Sequence, residues 1–173
     1  TKQTYENIEI IISDNHSQND EVEKVAYSFA ENDPRVHYIK QKENIGSGNN
    51  FRFVFQKANG DFFLWASDDD DWAHDAIEKY MSVFFNNQNI NLAISNVEIK
   101  DLTGQLINCI DFSTLGVKRR HKYIIYKNAS FNLRFTCWIY GIFRREYLKK
   151  IKNDISSDFG WDYIIIMREI LQD

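Results

Sequence analysis

The spacing of apolar residues changes period along this chain, and the changes mark out alternating strands and helices. Ile8 to Ile12 is a short apolar run that predicts a strand, and Glu21 to Glu31 then places Val22, Val25, Ala26 and Phe29 on one helical face. Val36 to Ile39 predicts a second strand. Asn44 to Asn50 reads as a turn, after which Phe51, Val54, Phe55 and Ala58 carry helical spacing up to an Asn59-Gly60 stop. The run Phe62 to Ala66 is short and aromatic-rich, and predicts a third, buried strand. A helix from Ala73 to Asn86 is expected to bury Ile77, Tyr80, Met81 and Phe84, and Leu92 to Ile99 returns to strand character. Strands alternating with helices of this length predict an α/β fold, a parallel or mixed sheet with helices on both faces.

The second half is patterned differently. Asp101-Leu102-Thr103-Gly104 predicts a hairpin turn between residues 94–100 and 105–110. Ser113 to Arg134 reads as a long loop with a helical portion and a basic knot, Lys118 to Lys122. Trp138 to Phe143 is expected to be a strand, Arg145 to Ile151 a short helix, and Trp161 to Leu171 a final amphipathic helix. No repeat, low-complexity tract or linker divides the chain, so residues 1–173 are expected to form a single domain.

Composition excludes several classes. With 43% hydrophobic and 27% charged residues and one proline, the chain is neither disordered nor fibrous. A net charge of −4 gives no general attraction to nucleic acid or anionic membrane, so an anionic ligand needs a local site or a bridging cation. Cys109 and Cys137 lack metal-ligand or redox spacing and are expected to be reduced thiols. No signal peptide or membrane-spanning apolar run is visible, which predicts a cytoplasmic protein that could still work peripherally at a membrane.

Candidate chemistry concentrates at one junction. Asp68, Asp69, Asp70 and Asp71 directly follow the apolar run Phe62 to Ala66, at the C-terminal end of its predicted strand. In open α/β sheets that edge binds ligands, and adjacent like charges there are unfavourable unless a cation or solvent neutralises them. Hard ions such as Mg²⁺ and Mn²⁺ take one or two carboxylates together with substrate phosphates. A solvated acidic turn that starts the next helix accounts for the same residues, and the pattern alone leaves both open.

An ordered set of segments carries a likeness. Ile10-Ile11-Ile12-Ser13-Asp14-Asn15-His16-Ser17, then Glu43-Asn44-Ile45-Gly46 with Asn50, then Trp65-Ala66-Ser67-Asp68-Asp69-Asp70, resembles the family 2 glycosyltransferases of the GT-A fold. The likeness runs from Gln3-Thr4-Tyr5 to Arg168. It implies a Rossmann-like sandwich with residues 1–100 as the nucleotide-sugar half and 101–173 as the acceptor side. The implied reaction is metal-dependent, inverting transfer of a sugar from a nucleotide diphosphate to a hydroxyl of a saccharide, lipid-linked saccharide or protein, as in cell-wall or polysaccharide assembly.

Residue roles follow from the same likeness. Asp14 would accept a hydrogen bond from uracil or another base, with Asn15 beside it; read alone, Asp14 is equally an Asx turn or helix cap. Asn44 and Gly46 stand at the family's Asn-x-Gly turn, and Asn50 would face the diphosphate, or else serve as a plain N-cap. Ser67 occupies the first position of the common Asp-x-Asp-Asp form, which moves the ribose contact to Asp68 and leaves Mn²⁺ or Mg²⁺ to Asp69 or Asp70. Asp71 is expected to face solvent. Asp162 aligns with the catalytic base, although Trp161 replaces the usual preceding Glu, and Asp158 is its rival. Lys118 to Lys122 could hold an acidic acceptor, but a solvated loop explains it better. Thr136-Cys137-Trp138 and Tyr140-Gly141 could line an acceptor pocket or simply fill a buried strand.

Family members begin with a further strand and helix, so this chain is expected to be N-terminally truncated. That implies either a strand from elsewhere, as in a homodimer, between the strands at Ile8 and Phe62, or those two strands drawn together. A non-catalytic sugar-nucleotide or carbohydrate binding module is the alternative from a different class. A nucleotidyltransferase would be expected to carry a glycine-rich basic loop, which is not visible here.

Overall fold

Residues Ile10–Asp14 form strand β1 and Val36–Lys40 form β2, paired in parallel with Ile10 opposite Val36 and Asp14 opposite Lys40. The structure is a computed structural model and describes residues 2–112 and 133–151. A parallel pair needs a crossover, supplied here by helix α1 (Asp20–Asn32). The Asn19 side chain caps α1 by accepting from the Glu21 N–H at 3.0 Å.

The buried face of α1 differs from the one expected. Ala26 is buried, whereas Val22, Val25 and Phe29 are exposed. A sheet two strands wide offers little more than one helix's width of cover, and other α1 side chains occupy it. Tyr27 packs on Tyr38 with ring centroids 5.1 Å apart, and Glu23 pairs with Lys40 at 2.6 Å.

Helix α2 (Ser47–Lys57) follows and packs on β1. Its apolar spacing behaves as expected: Phe55 and Ala58 are buried, and Phe51 and Val54 pack against the same cluster. Strand β3 is only Phe62–Phe63. Helix α3 (Ala76–Asn86) buries Tyr80, Met81 and Phe84, with Ile77 packed beside them.

The predicted strand from Leu92 to Ile99 is broken into β4 (Leu92–Ala93) and β5 (Val97–Lys100). Side chains in the gap make bonds of their own. Ser95 Oγ accepts from the Tyr80 hydroxyl at 2.7 Å, and Asn96 Oδ1 accepts from the Phe112 N–H at 2.8 Å. Strand β6 (Leu106–Ile110) pairs antiparallel with β5, as the hairpin signal predicts. The turn is held by the Asp101 carboxylate, which accepts from Thr103 N–H at 2.8 Å and Gln105 N–H at 2.9 Å, with Gly104 at φ 85°.

Trp138 to Phe143 is not one strand. A 3₁₀ helix, Leu133–Tyr140, leads through Gly141 into β7 (Ile142–Arg144) and then helix α4 (Arg145–Ile151). A Cβ on Gly141 would lie 2.6 Å from the Ala93 carbonyl oxygen, so this close backbone approach requires glycine. β7 runs antiparallel to both β3 and β4, in the order β3–β7–β4. A strand from the second half of the chain thus joins two from the first.

Among the described residues β1 and β3 belong to separate sheets and share no backbone pairing. Side chains join them instead. Ile11, Phe51 and Val54 pack against Phe55, Phe63 and Trp65, and the Glu9 carboxylate accepts from the backbone and side-chain N–H groups of Asn59, both at 2.9 Å. The same cluster includes Trp138, Phe143 and Leu148. No helix among the described residues is long and apolar enough to cross a membrane.

Gln3 ties the N-terminal segment to α3. Its Oε1 accepts from the Ile77 N–H at 3.2 Å and its Nε2 donates to the Ala73 carbonyl at 2.8 Å, while Thr4 N–H donates to the His74 carbonyl at 2.9 Å. Asp75, at the N-cap position, makes no side-chain cap bond, so Gln3 satisfies a first-turn N–H in its place. Gln3→Ala should therefore lower stability by about 1 kcal/mol, the usual worth of a cap, in a urea titration of the purified chain.

Candidate functional site

Five of the residues singled out in the sequence meet at the C-terminal ends of β1 and β2. Asp14 ends β1, and Asn15 follows it. Asn15 Nδ2 donates to Asn44 Oδ1 at 3.0 Å, and Asn15 Oδ1 accepts from the Ile45 N–H at 2.9 Å. Asn44 Oδ1 also accepts from the Gly46 N–H at 2.9 Å. This pair of carboxamides clamps the loop after β2 to the loop after β1. Gly46 then turns the chain into α2 with φ 81°, a dihedral that favours glycine, and a Cβ there would meet no neighbour.

Asn50 uses its side chain to anchor α2 to β1. Its Oδ1 accepts from Ser13 Oγ at 2.6 Å and its Nδ2 donates to the Ser13 carbonyl at 3.2 Å. Gln41 Nε2 donates to Ser13 Oγ at 3.1 Å, and Gln41 N–H donates to the Asp14 carbonyl at 2.8 Å. The first turn of α2 is thereby set against the strand ends. Its leading N–H groups have no intrahelical acceptors and form a partial positive charge at this edge.

Asp14 is the buried charged group of the cluster, 5% exposed. Its Oδ1 accepts from the Ser17 N–H at 2.7 Å and its Oδ2 from the Tyr38 hydroxyl at 2.8 Å. Burial opposes its ionisation, but those two donors and the nearby Lys40 charge outweigh it and hold its pKa below the usual carboxylate range. The Tyr38 phenol is pushed up, by burial and by its bond to Asp14. Asp14 is therefore an ionised, acceptor-only group at neutral pH. Its bond to the Ser17 N–H, three residues on, has the spacing of the helix-cap reading rather than of an Asx turn.

The acidic run lies in the loop between β3 and α3, separated from the end of β3 by Leu64 to Ser67, so it does not directly follow a strand as expected. Asp68, Asp69, Asp70 and Asp71 are all exposed, and Ser67 Oγ donates to Asp69 Oδ1. Among the described residues the run shares no hydrogen bond with the Asp14 cluster. The link between them is Trp65, whose indole N–H donates to the Phe51 carbonyl at 3.1 Å, one residue beyond Asn50. The 3₁₀ helix also reaches this side: burial, and then the charge of Asp70, push the Cys137 thiol up. Trp138 is buried and meets Phe112 edge-on at 5.9 Å, which is the core role weighed for it. Asp158, Asp162 and Lys118 to Lys122 lie outside the described residues.

Three members of the cluster carried no assigned role in the sequence: Ser13, Tyr38 and Gln41. Their partnerships depend on register. Ile12 sits opposite Tyr38, which puts Tyr38 on the same sheet face as Asp14, a relation that appears only once the strands are aligned. His16 has φ 65°, and its Nδ1 lies 3.3 Å from the Gln41 carbonyl, which makes that nitrogen the protonated one.

A parallel strand pair joined by a crossover helix, with a polar cluster at its C-terminal edge, is an α/β arrangement of the Rossmann-like kind. The chain belongs to glycosyl transferase family 2, whose family model matches residues 1–152. The α/β arrangement is that of the family's GT-A fold. It is similar to an uncharacterized glycosyltransferase of Methanocaldococcus jannaschii, 25% identical over 171 residues, 99% of this chain and 57% of that protein. It is also similar to uncharacterized glycosyltransferases of Rickettsia felis, 35% identical over 82 residues (47% of this chain, 13% of that protein), and of Haemophilus influenzae, 33% over 91 residues (53% and 29%). The chain thus spans between an eighth and somewhat over half the length of these relatives.

Proposed function

We propose that this chain transfers a sugar, with inversion, from a nucleotide-diphosphate donor to a hydroxyl acceptor, assisted by Mn²⁺ or Mg²⁺. The observation that carries this reading is the convergence of Asp14, Asn15, Asn44, Gly46 and Asn50 at one strand edge in a chain of this family. In it, Asp14 and Asn15 meet the base, and the Asn44-to-Gly46 turn and the start of α2 face the diphosphate. Asp68 meets the ribose, and Asp162 takes the acceptor proton.

Asp69 and Asp70 suit a divalent ion by donor chemistry. They are exposed carboxylates, and among the described residues no ion pair engages them and no group of three metal-ligating side chains forms. A hard ion held by one or two carboxylates takes its remaining ligands from water and phosphate. When bound, such an ion would neutralise charge on the departing nucleotide diphosphate.

The double substitution Asp69→Asn with Asp70→Asn should weaken Mn²⁺-dependent UDP binding by about 10- to 100-fold, the equivalent of one or two charge-assisted contacts. The fold should persist, since both side chains are exposed. Calorimetric titration with and without Mn²⁺ reads this directly. Metal-dependent binding equal to that of the parent chain would remove these residues as ligands.

A further inference from the structure

We propose that Tyr38 is a positioning residue for nucleobase recognition: its hydroxyl locks the Asp14 carboxylate as a fixed acceptor, so the site favours a base presenting a ring N–H. This rests on the reading of Asp14 as the base contact. Asp14 Oδ1 accepts from Ser17 N–H at 2.7 Å and Oδ2 from Tyr38 O–H at 2.8 Å, and the Ser17 hydroxyl also bonds the carboxylate. The two donor residues come from different elements, so together they fix the plane of the carboxylate. Tyr38 is itself held, by its place in β2 and by the Tyr27 ring of α1 at 5.1 Å.

The other charged groups around Asp14 leave this task to Tyr38. Lys40 of β2 contributes its charge at a distance, but its ammonium is paired with Glu23 of α1 at 2.6 Å, with Asp20 also near it. A phenol donor orients the carboxylate without neutralising it, and an oriented anion has lone pairs left for a ligand. Uracil presents N3–H, whereas cytosine, of the same size, presents a lone pair at N3. A carboxylate held in place cannot turn to avoid that acceptor-to-acceptor contact, and a free one can.

The experiment titrates UDP and CDP, each with Mn²⁺, into the parent chain, Tyr38→Phe and Asp14→Asn between pH 3 and 8. The parent should prefer UDP. Tyr38→Phe should weaken UDP binding by about 3- to 10-fold, with a smaller effect on CDP. Phenylalanine keeps the packing on Tyr27 but removes a donor that stabilises the charged carboxylate, so the Asp14 pKa rises. UDP binding should then fail at a higher pH on acidification than in the parent, a shift that a merely structural role would not produce. A parental UDP to CDP ratio and acid limb in Tyr38→Phe, with the preference lost in Asp14→Asn, would overturn the role of Tyr38 and leave the Asp14 reading standing. A UDP preference retained in Asp14→Asn, or absent from the parent, would overturn both. A carbon-13 titration of the Asp14 carboxyl in the parent chain tests the same bond without a variant: a depressed pKa is expected, and an ordinary one refutes it.

Discussion

Asp162→Asn should leave nucleotide-diphosphate affinity within about twofold of the parent while lowering sugar transfer by about 10²- to 10⁴-fold, the usual worth of a general base. The carboxamide is nearly the size of the carboxylate, so the substitution changes charge rather than volume. On the proposed reading, what is lost is the capacity to take the proton from the acceptor hydroxyl as it attacks the anomeric carbon. A carboxylate of ordinary pKa is ionised at pH 7 and can do this without special tuning. Because the base acts on the acceptor, donor binding is the internal control. Paired measurements of donor affinity and transfer rate check both halves of the expectation. A variant that transfers at the parental rate would pass the role to Asp158.

Phe143→Ala should cost about 3–5 kcal/mol, the range for emptying a buried aromatic site. Phe143 is fully buried at the centre of β7, opposite Phe63 on one side and Leu92 on the other. Its ring also meets that of Trp65 edge-on at 6.0 Å. Removing it opens a cavity between strands whose backbones are already tied together, so the surroundings can collapse only in part. For a chain of this length each kcal/mol moves the melting temperature by roughly 2–4 °C, so a fall on the order of 10 °C is expected in a thermal melt. A melting temperature within a degree of the parent would mean that the β3–β7–β4 cluster does not limit stability. Phe143 also packs on Trp65, which lies between β3 and the acidic run, so the same variant should also weaken the proposed metal-dependent nucleotide binding.

The helices were largely legible in the sequence. α2, α3 and α4 lie close to where period and stop signals put them, because helical contacts are local and an amphipathic face is written into neighbouring turns. The hairpin between β5 and β6 was legible for the same reason: Asp101 and Gly104 supply the turn chemistry within a few residues. The burial of α1 was not, since which of two adjacent stripes faces inward depends on how much sheet lies beneath the helix. Strand lengths were misjudged where a partner is short or a side chain competes, as at Phe62–Phe63 and at Ser95 and Asn96.

For the candidate site, residue types and order along the chain were enough to single out Asp14, Asn15, Asn44, Gly46 and Asn50, which the structure brings together, because strand-end turns carry their polar residues in compact segments. By itself the sequence determined the family and the α/β alternation, and singled out the segments that the structure brings together after β1 and β2. Only the tertiary structure decided that β7 enters between β3 and β4, that Asn15 clamps Asn44, and that Tyr38 bonds Asp14. Each of these joins residues 24 or more positions apart in the chain. Such contacts depend on strand register and crossover, and local periodicity carries no information about which distant edge a strand will meet.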